Sequence, residues 1–213
     1  MNRRSFFLGS LGLGAAVGTA QAERFSQPPG APPPPDKPRA IRDRTVWRDA
    51  LAAARSSHIA RLSIYKDIGR FPLNHRILGS IPTFIDHRGV PCAVGHLMQQ
   101  SGHAQLAANI SAANNNIYIE EIESGPALDW ILFSGLTREE CAVIQPSYRW
   151  RDPPPIRRPP PVEPPHPEQE TLRQHFVLVE RRLRGETEMS LRVAMARIES
   201  RIDAGIQLSV VTS

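Results

Sequence analysis

The sequence predicts a mainly α chain with one small β element, an α+β fold built as a compact core of short helices. Three observations carry this. Apolar residues recur at three- and four-residue steps over Thr45–Asp67 and again from Leu172 to Ile202, the spacing that lines one face of a helix. Between those stretches glycine, proline and asparagine interrupt the chain at short intervals, which holds its helices to a few turns. Thr83-Phe84-Ile85, β-branched and aromatic and followed by turn residues, reads as the strand.

In chain order, residues 1–22 have the composition of a signal peptide. Arg3-Arg4 precede an apolar, glycine-rich run that closes at Ala20-Gln21-Ala22. A charged start, a short apolar centre and an A-x-A site describe an export signal, not a membrane span. The paired arginines before Ser5-Phe6-Phe7-Leu8 point to the twin-arginine type, with an ordinary secretory leader as the alternative. Cleavage after Ala22 leaves 213 − 22 = 191 residues, destined for the periplasm or secretion, with no further apolar run of membrane-spanning length. Residues 23–40 form a Pro-rich arm, and 151–167 a second Pro-rich linker. Both are expected to be solvated polyproline II spacers.

Residues 41–150 constitute the core domain. Its first helix runs from Thr45 to Asp67, capped by Gly69 and stopped by Pro72, with His58 on the apolar stripe as a packed core histidine. Then comes Thr83 to Met98, where the chemistry-bearing side chains gather. Asp86-His87-Arg88-Gly89 is a turn, Pro91 suits the first helical position, and the helix extends to Gln100 with Gly102 as its cap. Cys92 then lies in the first helical turn, where the positive end of the dipole favours thiolate, and His96 follows four residues later on the same face.

Cys92 carries three readings. It packs the helix start as a small buried residue, it pairs with Cys141 in a disulfide, or it acts with His96 and Asp86 as a nucleophile. Cys92 and His96 also offer two metal ligands. A zinc site needs three or four, which Asp86, His87 or His103 supply only if the turn folds back.

Further helices are expected over His103–Ala113, from Pro126 to before Gly135, and from Thr137 onward. There Thr137-Arg138-Glu139-Glu140 forms a capping box that accounts for Glu140. Ile117–Ile122 is either a short strand or a helical turn, and Trp130, Tyr148 and Trp150 are aromatic packing. Residues 168–204 carry a seam of Leu172, Phe176, Val179 and Leu183, resumed by Leu191, Ala194, Ile198 and Ile202 after Gly185. This is a single helix or a helical hairpin. As a tail uncoupled by proline, with a coiled-coil seam, it predicts self-association. Residues 205–213 form the C-terminal end.

Several motifs resemble a family of exported bacterial proteins with no assigned function. They are Phe84-Ile85-Asp86-x-x-Gly89-x-x-Cys92-Ala93-Val94-Gly95-x-Leu97, then Ser134-Gly135-Leu136-Thr137-x-x-Glu140 and Ile144-Gln145-Pro146-x-Tyr148. The resemblance covers Phe71 to Tyr148 and implies no catalytic residues. It implies an aromatic at the position of His96 and no cysteine at Cys141. That weakens the dyad and the disulfide and leaves Cys92 a packing or reactive role.

Charge narrows the function. The formal net charge is +5, yet Gly89–Tyr148 holds one arginine against six acids, the excess lying before Gly89. Such asymmetry makes a basic face suited to an anionic envelope surface. Nucleic acid is not the expected partner, because no aromatic-interleaved basic run, helix-turn-helix pattern or zinc-finger spacing occurs. No phosphate loop, H-E-x-x-H, C-x-x-C or haem motif is present, so no cofactor is evident. The reading is an exported envelope protein that binds or scaffolds. The alternatives are a cysteine-dependent hydrolase or thiol-redox enzyme at Cys92, or a metal-binding protein through Cys92 and His96.

Overall fold

The computed structural model describes residues 44–152 and 167–205. The signal peptide, the 23–40 arm, nearly all of the second linker and most of the C-terminal end lie outside the described residues.

Seven α-helices and a two-strand antiparallel ladder make up the described fold, as expected of a mainly α chain with a small β element. They are α1 (Arg44–Ile68), β1 (Ser80–Ile81), α2 (Ala93–Gln100), α3 (Ala104–Ala113), α4 (Pro126–Phe133), α5 (Arg138–Ile144), β2 (Tyr148–Arg149), α6 (Pro167–Gly185) and α7 (Thr187–Asp203), with a 3₁₀ turn at Ile119–Glu121. The axle is α1. Its buried residues Leu51, Arg55, His58, Ile59, Leu62 and Tyr65 follow helical spacing, and it packs against α2, α6 and α7.

The C-terminal helices correct the expected free tail. The segment is two nearly continuous helices interrupted only at Glu186, both lying antiparallel along α1, and its seam is already occupied. Leu172, Phe176, Val179 and Leu183 are buried in the main core with Tyr65, Phe71 and Trp130. Leu191, Ala194, Met195 and Ile198 bury against Leu51 of α1 and Leu132 of α4 in a second cluster. Apart from Ala194, each such side chain stabilises the fold by about 1.5–3 kcal/mol, so the apolar seam needs no second copy to cover it. Polar contacts fasten the same helices. Glu168 accepts from Arg149 N at 2.8 Å and from Arg151 Nη2 at 2.9 Å, and Lys66 meets Glu180 at 3.2 Å.

A buried ion pair ties these two helices to the core. The Arg55 guanidinium grips Glu140 through both nitrogens (2.8 and 2.7 Å) and also donates to the carbonyls of Gly135 and Leu183. Glu140 in turn accepts from Ser190 Oγ at 2.7 Å and Thr137 N at 2.8 Å. The capping box is present as expected. The same carboxylate therefore closes the end of α5 and locks α1 to the α6–α7 turn. A charge pair this enclosed is tolerated because nearly every donor and lone pair has a partner.

The strand expectation for Thr83–Ile85 is corrected too. The ladder instead pairs Ser80 with Arg149 and Ile81 with Tyr148. Phe84–Ile85 is extended, but a side chain supplies its partner: Asn115 Oδ1 accepts from Ile85 N and Asn115 Nδ2 donates to Ile85 O, both at 2.9 Å. Phe84 N reaches Asn115 O at 2.8 Å. One asparagine replaces the neighbouring strand that the propensities implied. No described helix is long and apolar enough to cross a membrane.

Candidate functional site

Of the three readings of Cys92 the structure bears out buried packing, and the three side chains that the nucleophile reading joins do not act together. Cys92 is the N-cap of α2, not a residue of its first turn. It is fully buried, and its Sγ accepts from Gly95 N at 3.4 Å. Burial pushes its thiol up to about 12, and the backbone N–H groups of Gly95 and Val94 only partly oppose that. The dipole argument for thiolate fails because desolvation outweighs it. Both Cys92 and Cys141 are free and buried, so the expected disulfide is absent. Burial likewise pushes the Cys141 thiol up.

Asp86 serves its own loop. Oδ1 accepts from Arg88 N and Val90 N, both at 2.9 Å, and Oδ2 from Leu73 N at 3.1 Å and Arg88 Nε at 2.8 Å. Burial alone would raise this carboxyl. The bonds from Val90, Arg88 and Leu73 outweigh it and hold the group below its usual range. His96 lays its ring against Tyr65, centroids 4.9 Å apart, and burial followed by the nearby Arg61 charge lowers its pKa. None of the three hydrogen-bonds to another. Among the described residues no group of three or more His, Cys, Asp or Glu is placed to hold a metal, so Cys92 and His96 gain no further ligands.

The structure places a candidate site elsewhere, at a groove of about 730 Å³ between α1, the α2–α3 turn and α4. Trp130, Phe133, Leu106, Pro126 and Ala54 give it apolar walls, and His58, Arg61 and His103 supply the polar groups. These come together because α1 presents His58 and Arg61 one turn apart, at the edge of its buried stripe. The tight turn through Gly102, at φ 86° where a side chain would strain, brings His103 opposite.

His58 is 4% exposed, set edge-on to Trp130 at 5.3 Å, and its Nδ1 has no hydrogen-bond partner. The packed core histidine expected from the sequence is thus buried but not satisfied. Burial first, then the charges of Arg61 and His103, lower its pKa to about 4, so the ring is neutral at pH 7. A buried N–H without a partner is rarer than an under-used acceptor. The proton therefore belongs on Nε2, leaving Nδ1 as a bare lone pair.

Ser101 fixes a second tautomer. Its Oγ lies 3.0 Å from Met98 O, 3.0 Å from Trp130 Nε1 and 3.2 Å from His103 Nδ1. The carbonyl can only accept and the indole can only donate. The arrangement that satisfies all three gives the hydroxyl proton to Met98 and places a proton on His103 Nδ1. Asp129, the one acid lining the groove, is met by Arg201 at 2.9 Å. Arg61 has no ion-pair partner among the described residues, and it is the groove's uncompensated charge.

Comparison with family models, curated proteins and solved structures returns no match. The geometry alone therefore carries the functional argument.

A smaller cleft of about 290 Å³ adjoins the Asp86 loop, with the rings of His75 and His87 4.9 Å apart. His75 Nδ1 is 2.9 Å from Arg151 O, and its Nε2 and Thr83 Oγ1 are buried without partners. Two imidazoles beside an already saturated Asp86 fall short of the donors a metal ion requires.

Sequence reasoning missed Arg61 and gave His58 and His103 no joint role. The available signal was the His58/Arg61 pair at i, i+3 beside the aromatic Trp130. What it lacked was the distance between α1 and the α2–α3 turn, a long-range fact.

Proposed function

We propose that the chain is an exported cell-envelope protein that binds a small, largely apolar organic ligand in the groove between α1, the α2–α3 turn and α4. One observation carries the reading: the groove has the volume and the lining of a ligand site, apolar walls with a few convergent polar groups. Export rests on the paired arginines and the A-x-A site of residues 1–22, and on the resemblance of Phe84–Leu97 to exported proteins. Burial of Cys92 gives no support to a cysteine-dependent hydrolase or thiol-redox reaction, since a nucleophile has to be reachable and ionisable.

The test uses the uncharged dye Nile red, whose fluorescence rises in dry apolar surroundings. The mature chain is expected to bind it saturably at one site. Ser57→Trp, at an exposed lining position of α1, is expected to block that binding while leaving the helical circular-dichroism spectrum intact. Saturable binding that Ser57→Trp leaves unchanged would place the ligand elsewhere. Absence of saturable binding would remove the proposal.

A further inference from the structure

Resting on that reading, we infer that the ligand is an organic acid: a flat apolar body ending in a carboxylate or equivalent anionic head, held at Arg61. Four features of the groove converge on this class. Half-buried Phe133 offers aromatic surface along α4, with the edge of Trp130, Leu106 and Pro126 completing an apolar wall, and a flat body buries most area against such a surface. The charge on the lining is unbalanced in one direction. Asp129 is neutralised by Arg201 at 2.9 Å, whereas Arg61 faces no carboxylate among the described residues. A guanidinium left without an acid partner beside an apolar wall has the planar, forked geometry that recognises a carboxylate through two parallel bonds.

The neighbouring rings are set to help an anion and not a cation. His58 is nine-tenths buried, and its Nδ1 is unpartnered; the tautomer that follows puts an N–H on Nε2 of a ring that lines the groove together with Arg61. The indole N–H of Trp130 is already spent on Ser101 Oγ at 3.0 Å, so it is not a donor for the ligand. His103, anchored through Nδ1 to the same hydroxyl at 3.2 Å, bounds the groove on the side of the α2–α3 turn. A cationic ligand would meet the unpaired Arg61 with nothing to offset the repulsion. A neutral ligand would leave Arg61 desolvated and unpaired at the groove wall.

Three probes sharing one skeleton test the class: naphthalene-1-acetate, naphthalene-1-acetamide and 2-(naphthalen-1-yl)ethylammonium, each titrated calorimetrically into the mature chain at pH 7.5 in low salt. The acid is expected to bind at least about tenfold more tightly than the amide, the scale of one charge-assisted hydrogen bond, and the ammonium probe most weakly. Arg61→Gln is expected to erase the difference between acid and amide while leaving amide affinity unchanged. If the amide binds as well as the acid, or if the acid preference survives Arg61→Gln, the ligand class is wrong and the groove reading stands. If none of the three binds at millimolar concentration while Nile red binding is blocked by Ser57→Trp, the class is again wrong. If neither the naphthalenes nor Nile red bind, the groove reading falls and takes this inference with it.

Discussion

Cys92 and His58 show how environment overrides local chemistry at the scale of a residue. The helix start should ionise a thiol, yet complete burial of Cys92 sets the outcome. Native protein is therefore expected to react with iodoacetamide at neutral pH no faster than it unfolds, both thiols labelling together once denaturant is added. Fast labelling of one native cysteine would contradict that burial. His58 gives a pH signature. Its pKa is depressed in the folded state, to about 4, against about 6.5 unfolded. The unfolded chain therefore takes up the proton first as pH falls. Stability from this residue is fully present above about pH 6.5 and is lost as the pH drops toward 4, by about 3 kcal/mol in total. His58→Phe is expected to flatten that part of the profile, as read from urea midpoints at pH 7.5, 5.5 and 4.5. An unchanged slope would mean the buried ring is not neutral.

Element boundaries were legible wherever a local rule set them. The α1 stripe, the Gly69 stop, the Thr137–Glu140 box and the Gly102 turn are all read from residues within one or two turns of each other. The strand was not, because Thr83-Phe84-Ile85 has the right propensity but finds Asn115 from thirty residues downstream instead of a second strand. The seam of α6 and α7 was read correctly as apolar and wrongly as unpartnered, since its partner is α1, more than a hundred residues earlier. The candidate groove failed for the same reason: it joins three elements that no sequence window contains. One element-scale feature is testable by itself. Gly135 turns the chain between α4 and α5 at φ 71°, and a Cβ there would collide with the Leu51 carbonyl oxygen and the Arg55 backbone. Gly135→Ala is expected to cost about 2–4 kcal/mol through strain and the displaced α1 contact. A loss below 0.5 kcal/mol in chemical denaturation would show that the turn can move away from α1.

For the whole molecule, α6 and α7 complete the domain by covering α1 along its length. Phe176 closes a triangle of rings with Tyr65 and Phe71, its centroid 5.4 Å from each and theirs 5.3 Å apart, and Arg55 links α1 to Glu140 and to the α6–α7 turn. A chain ended at Trp150 is expected to lose cooperative unfolding and to expose apolar core, since one face of α1 would be stripped and the Arg55–Glu140 network opened. A sharp thermal transition for that shortened chain would instead mark α6 and α7 as accessory helices. The central claim is that function resides in the groove and not at the cysteine-bearing stretch. Amide chemical-shift mapping of the mature chain titrated with naphthalene-1-acetate tests it most directly. The predicted result is saturable shifts confined to Ala54–Arg61, Gln100–Leu106 and Ala127–Ser134. Shifts centred on Asp86–His96 or on the His75–His87 cleft, with the groove unmoved, would contradict it.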